Sequence, residues 1–228
     1  MNRLALFDCD GTLVDSGANI CRAVEDAFDS HRLAPPCHAD IRRIVGLSLV
    51  EAMAVLHPAG EATLHASLAD RYKTAFRAMR SDGRLDPEPL YDGIVAAMAA
   101  LDDAGWVLGV ATGKSDRGLD LLLRHHGIHH RFVTLQTADR HPSKPHPAMA
   151  EAAMAEAGAG PATTVMIGDT SFDMRMAGNA GIAAIGVGWG YHAPAELAAA
   201  GARQVLDHAD GLAAAVLACV APAPISVR

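Results

Sequence analysis

One short segment constrains this chain more than any other. Leu4-Ala5-Leu6-Phe7 is an unbroken apolar run, and it stops at Asp8-Cys9-Asp10-Gly11-Thr12. A run of this length suits a strand buried on both faces, the situation of a parallel sheet covered by helices. Residues two apart on a strand share a face. The sequence therefore delivers Asp8 and Asp10 side by side at the strand's C-terminal end, the edge at which open α/β sheets bind ligands. Gly11-Thr12 then turns the chain.

Downstream the pattern alternates. Strands are expected at Trp106–Ala111, Phe132–Leu135, Thr163–Ile167 and Ile182–Val187. Helices are expected at Ile94–Ala104, Asp116–His126, Pro147–Ala157, Phe172–Ala180, Glu196–Ala200 and Gly211–Cys219. Strands alternating with helices predict βαβ units and an α/β fold with a parallel sheet. The stretch from Ser16 to about Arg80 breaks that rhythm. Its apolar residues recur at helical spacing, with breaks near His31–Pro36, Gly46 and Pro58–Gly60, and it shows no strand pattern. It reads as an insert after strand 1. The expected organisation is a core made of residues 1–15 and 84–228 and a helical cap over residues 16–83, hinged near Asp15–Ala18 and Gly83–Pro87.

Composition bounds the partners. Of 228 residues, 50% are hydrophobic and 20% charged, enough for a large buried core built on few aromatics. The net charge of −7 contains no block of one sign, which argues against nucleic acid or an anionic membrane as partner. A small anion responds to its local site and stays admissible. Cys9, Cys21, Cys37 and Cys219 form no CxxC pair and read as reduced thiols of a cytoplasmic protein. Asp8 and Asp10 interrupt the N-terminal apolar run, so no secretory leader is expected, and no apolar stretch is long enough to span a bilayer. Residues 220–228 read as a frayed tail.

A second acidic pair follows the expected Thr163–Ile167 strand, in Gly168-Asp169-Thr170-Ser171-Phe172-Asp173. Carboxylates converging at neighbouring strand ends repel one another unless a cation joins them, and an all-oxygen set suits Mg²⁺. Thr112 closes another strand with a hydroxyl, and Lys144 precedes a helix with an ammonium. A nucleophilic carboxylate approaching a phosphoryl anion at ~4 Å meets a repulsion of roughly 4 kcal/mol per charge pair at an effective dielectric near 20. A metal and a lysine offset that repulsion. Each piece alone has an ordinary reading. Asp-x-Asp-Gly is commonly a turn. Thr170 can be an N-cap and Asp173 a helix-dipole partner. Lys144 between prolines can be a solvated loop residue. Only the combination and its order carry chemistry.

Those pieces, in that order, resemble the haloacid dehalogenase-like (HAD) superfamily over nearly the whole chain, within it the phosphoglycolate phosphatase-like subgroup. Asp8-Cys9-Asp10-Gly11-Thr12 is similar to the first family motif, Ala111-Thr112-Gly113-Lys114 to the second, Ser143-Lys144-Pro145 to the third and Gly168-Asp169-Thr170-Ser171-Phe172-Asp173 to the fourth. The resemblance implies a Rossmann-like three-layer core with strand order 5-4-1-2-3 and a small helical cap. It further implies a Mg²⁺-dependent phosphatase acting on a small phosphate monoester. Asp8 would be the nucleophile that becomes an aspartyl phosphate, and Asp10 the acid and base. Thr112 and Lys144 would hold phosphoryl oxygens. Asp8, the Asp10 carbonyl and Asp169 would ligate the metal, supported by Asp173. Gly46, in Gly46-Leu47-Ser48, and Gly113 would meet substrate. Many relatives carry Asn where Gly113 stands, so one side-chain contact is missing here. Arg42, Arg43 and Lys73 are candidate anion contacts from the cap, and also ordinary surface residues of amphipathic helices.

The partner implied is a small phosphorylated metabolite, with the protein a monomer or homodimer. A sugar-phosphate mutase (phosphoglucomutase-like) is the alternative within the family. A non-catalytic phosphate-binding protein is the alternative outside it. Three other motifs are set aside. Gly109 and Gly113 enclose three residues before Lys114-Ser115, whereas a P-loop needs four. Gly186, Gly188 and Gly190 do not make a dinucleotide fingerprint. His125-His126 and His129-His130 lack zinc-ligand spacing and suit a helix C-terminus.

Overall fold

The computed structural model describes residues 1–220. The expected frayed tail therefore lies, from residue 221 onward, outside the described residues. The chain opens with β1 (Asn2–Phe7), whose Leu4, Ala5, Leu6 and Phe7 are all fully buried. The alternation of strand side chains explains why both faces are apolar. Leu4 and Leu6 join Met149, Ala153, Met166 and Met174 on one side, while Ala5 and Phe7 join Met98, Leu101, Leu119 and Leu212 on the other. β1 is thus the middle layer of a three-layer core. Burying each of its large side chains contributes roughly 2 kcal/mol.

The remaining strands are β2 (Trp106–Thr112), β3 (Phe132–Thr137), β4 (Ala159–Gly168), β5 (Ala183–Val187) and β6 (Gln204–Leu206). All pair in parallel, in the order β3-β2-β1-β4-β5-β6. The expected five-strand order is present, and a sixth strand extends it beyond β5. That strand was missed in the sequence because Gln204-Val205-Leu206 is too short to show a pattern. In register, Phe7 lies opposite both Val110 of β2 and Ile167 of β4. The next residues along the chain, Asp8 and then Gly168-Asp169, are delivered to the same edge.

Four helices occupy the segment between β1 and the core helix α5 (Ile94–Asp103): α1 (Gly17–Ser30), α2 (His38–Arg43), α3 (Leu49–Leu56) and α4 (Ala62–Ser81). On α1, Ile20, Val24, Ala27 and Phe28 follow helical spacing and pack with Ile41, Val45, Met53 and Leu68 into a core of their own. The crossings into and out of this helical insert are held together. Asn19, almost fully buried, donates to the Asp86 carbonyl and accepts from its amide, both at 2.9 Å. Beside them Asp15 N–H donates to the Pro89 carbonyl at 3.0 Å. The other core helices are α6 (Asp116–His125), α7 (Ala148–Ala157), α8 (Ser171–Asn179), α9 (Pro194–Ala199) and α10 (Leu212–Cys219). Among the described residues, no helix is long and apolar enough to cross a membrane.

Candidate active site

The carboxyl edge of β1 and β4 brings Asp8, Asp169, Asp173 and Lys144 together. The three carboxylates are buried, and each offers an oxygen within 4.8 Å of the others. Lys144 lies between two of them, its Nζ 2.8 Å from Asp8 Oδ1 and 2.6 Å from Asp173 Oδ1. Burial alone would lower the Lys144 pKa, but Asp173 and Asp8 outweigh it and raise it, so the ammonium stays charged. Three carboxylates against one ammonium leave two negative charges, the amount one divalent cation neutralises.

The carboxylates differ in how they are satisfied. Asp169 accepts the Thr12 hydroxyl at 2.8 Å and the Tyr191 amide at 2.9 Å. Asp173 accepts both the Thr170 amide, at 3.0 Å, and the Thr170 hydroxyl, at 2.7 Å, and closes a capping box at the start of α8. Thr170 is thus the N-cap and Asp173 its first-turn acidic partner, while the same Asp173 carboxylate reaches Lys144. Neither Asp8 oxygen has a well-aligned hydrogen bond among the described residues, although both are buried. Burial pushes the Asp8 carboxyl up to about 7, against the counter-pull of Lys144, and burial raises Asp169 well above the usual carboxylate range. A buried, under-coordinated carboxylate beside a second one, all donors being oxygens, fits Mg²⁺. Among the described residues this is the only group of three or more His, Cys, Asp and Glu side chains close enough to hold an ion.

Asp10 points elsewhere. Its Oδ1 takes the Ser16 hydroxyl and lies 2.7 Å from Lys114 Nζ. Sequence reasoning gave neither Ser16 nor Lys114 a role, although both stand inside the quoted motifs. Thr112 is buried at the end of β2 and its hydroxyl accepts the Lys114 amide at 3.2 Å. Ser115 accepts Gly118 N–H at 3.1 Å and caps α6, so Thr112-Gly113-Lys114-Ser115 is a strand-to-helix turn and not a phosphate loop.

The helical insert closes over this edge. A side chain at Gly46 would point at the carboxylate cluster, its Cβ 3.9 Å from Asp8 Oδ2 and 3.4 Å from Thr170 Oγ1. Gly113 faces the same loop. A Cβ there would lie 2.5 Å from the Leu47 carbonyl oxygen and 2.8 Å from that of Gly46. The glycine that departs from the common Asn is thus the one the closed insert requires. Three further contacts bind the insert to the core. Ser48 N–H donates to Ser143 Oγ at 2.7 Å, Arg43 pairs with Glu196 at 2.8 Å, and His192 joins the Ser171 amide at 3.1 Å to the Arg43 carbonyl at 3.0 Å. Arg43 therefore serves closure, and Arg42 is exposed. Lys73 reaches the space between insert and core. His192 and Tyr191 had no signal in the sequence, since their contacts join distant segments.

Comparison with known proteins agrees with this geometry. Residues 5–187 match the family profile described as haloacid dehalogenase-like hydrolase. The chain is 35% identical over 211 residues to the probable phosphatase IndB of Dickeya dadantii, covering 91% of this chain and 90% of that protein. It is 30% identical over 196 residues to a phosphoglycolate phosphatase of Agrobacterium fabrum, covering 84% and 82%. A predicted phosphatase from Clostridium acetobutylicum superposes with a TM-score of 0.85 at 25% identity, over 96% of this chain and 99% of that one. With the motifs, the sheet order and four-fifths of its length in agreement, the chain belongs to the haloacid dehalogenase-like hydrolases.

Proposed function

We propose that this protein is a Mg²⁺-dependent phosphatase of small phosphorylated metabolites, working through an aspartyl phosphate on Asp8. The observation that carries the reading is the under-coordinated Asp8 carboxylate, buried between Lys144 and Asp169. Asp8 attacks phosphorus, and the ester oxygen leaves with a proton from Asp10. Asp10 then takes a proton from the water that hydrolyses the acyl phosphate, as a general base of the second step. Lys144 and the Thr112 hydroxyl hold phosphoryl oxygens, and Asp173 keeps Lys144 in place. Asp8, Asp169 and the Asp10 backbone carbonyl would hold the metal, which supplies charge neutralisation for the transferring group. Residues 16–83 act as the cap that shields the attack of Asp8 from bulk water and admits the hydrolytic water afterwards, with Gly46 and Gly113 meeting at the closed seam.

The relatives named as phosphatases support hydrolysis as the reaction. The test is a panel of phosphorylated metabolites with Mg²⁺, scored for released phosphate, with and without EDTA. Phosphate release that EDTA silences is expected. Conversion to an isomeric sugar phosphate instead would make the protein a mutase, and saturable binding without turnover would make it a phosphate-binding protein.

A further inference from the structure

Between the helical insert and the core lies a chamber of about 370 Å³ that opens onto Asp10. Its wall on the insert side carries an apolar patch, Val24, Val45, Leu49, Tyr72 and Phe76, flanked on α4 by Lys73, Arg77 and Arg80. Tyr72 and Phe76, four residues apart on α4, form a tilted aromatic pair with ring centroids 5.9 Å apart. The core side contributes Gly113 and Lys114. Lys114 Nζ lies 2.7 Å from Asp10 Oδ1 and 5.8 Å from the centre of the Phe76 ring. One lysine thus separates the aromatic wall from the carboxylate that protonates the leaving oxygen. Whatever alcohol departs must lie against that wall. Lys73, Arg77, Arg80 and Arg117 stand around the same space and attract anionic esters without reading their bodies.

The size of the space matters. A water occupies about 30 Å³, so a two-carbon alcohol would leave on the order of ten waters held against apolar and aromatic side chains. That is an unfavourable arrangement, and it is relieved by filling the space with apolar surface. We propose that the chamber takes the organic body of the substrate and that this body carries a ring: a phosphate monoester of a primary alcohol bearing an aromatic or similarly sized apolar ring. This assignment rests on the phosphatase reading above.

The experiment compares 2-phenylethyl phosphate with ethyl phosphate and 2-phosphoglycolate under Mg²⁺. All three are esters of primary alcohols, so the ratio of kcat/KM reports mainly the body. A preference of about 50-fold for the phenyl ester is expected from burial of the ring. Phe76→Ala should cut that preference by about tenfold, and Phe76→Leu, which keeps the wall packed, by less. Equal kcat/KM, or a preference for 2-phosphoglycolate, overturns the ring assignment and leaves the phosphatase reading standing. A second arm is independent of turnover. Calorimetry on the wild-type protein with Mg²⁺ and the non-hydrolysable 2-phenylethylphosphonate and ethylphosphonate should show tighter binding of the former. Equal affinities overturn the assignment. Ring-selective phosphonate binding without hydrolysis of any ester supports the chamber and overturns the phosphatase reading instead.

Discussion

Two lysine–aspartate assemblies sit at the same sheet edge and are built differently. At Lys144 the side chains are sealed: the lysine is 0% exposed, Asp8 1% and Asp173 0%. At Lys114 the pair is partly open, the lysine 13% exposed and Asp10 10%, and it faces a chamber. The first assembly holds three carboxylates to one ammonium, and the second holds one to one. Removing charges from water costs several kcal/mol per ion, so an unbalanced buried cluster persists only where something else completes it. The difference divides the labour. On the proposed mechanism the Lys144 side would receive a cation and the transferring phosphoryl group, and the Lys114 side the organic body and its leaving oxygen.

The hardest test of that division is Asp8→Asn. Turnover should fall by roughly 10⁴-fold or more, since the proposed covalent intermediate forms on Asp8. The fold should persist, because the replacement removes a carboxyl that burial already disfavours in its charged form. Retained turnover, measured as phosphate release against time, would end the assignment of Asp8. Next in size is Lys144→Met. It should lower kcat by about 10³-fold for every ester, whatever the leaving group. It should also destabilise the metal-free protein by about 3–5 kcal/mol, since Asp8 and Asp173 lose their shared counter-ion. A variant that lost activity on some esters only would place Lys144 on the leaving-group side and break the comparison.

The pH dependence of stability sharpens the same contrast. The Asp8 pKa moves from an ordinary 3.8 to about 7 on folding, chiefly through burial. A carboxyl raised in this way favours the folded state while protonated. Its contribution is complete below about pH 4 and is lost as pH rises through 7, an amount on the order of 2–4 kcal/mol. Glu156 and Glu196 shift the opposite way, held down first by hydrogen bonds from Thr134 and Arg43. Their contributions are complete above the usual carboxylate range and do not vary between pH 5 and 8. The metal-free protein should therefore melt lower at pH 8 than at pH 5, by several degrees. Mg²⁺ should raise the melting temperature more at pH 8, where Asp8 is ionised. An equal Mg²⁺ effect at both pH values in a thermal melt would detach the cation from Asp8.

What the sequence displayed and what it hid divide along physical lines. An unbroken apolar run and an abrupt acidic stop are local, so β1 was legible from Leu4-Ala5-Leu6-Phe7, and Asp8 and Asp169 stood out once the acidic strand ends were read together. The helical insert was legible because sixty residues of helical spacing interrupt a strand–helix rhythm. Strand β6 was not, because three residues carry no period. The partners of the site were hidden for a different reason. Tyr191 and His192 act through contacts with residues far away in the chain, and no local pattern announces them. Gly113 carries a second consequence that the sequence did not show. Its absent side chain reads as one substrate contact fewer, and its small size also lets the Gly46-Leu47 carbonyls approach. Lys114 was visible and passed over, since a lysine after Thr-Gly carries no meaning until Asp10 is found 2.7 Å away.

That oversight supplies the smallest and most discriminating prediction. Lys114 and Ser16 together fix the orientation of Asp10, whose acid role matters most when the departing alkoxide is a poor leaving group. Lys114→Met should lower kcat/KM by about tenfold for an alkyl phosphate and leave an aryl phosphate such as p-nitrophenyl phosphate nearly unchanged. The stability cost should be small beside that of Lys144→Met, because the Lys114 pair is reached by solvent and a freed Asp10 can be hydrated. The measurement is the slope of log kcat/KM against leaving-group pKa, which should steepen in the variant. If the slope is unchanged and activity falls equally for all esters, Lys114 acts on the phosphoryl group as Lys144 does, and the two assemblies are one site rather than two halves of a divided one.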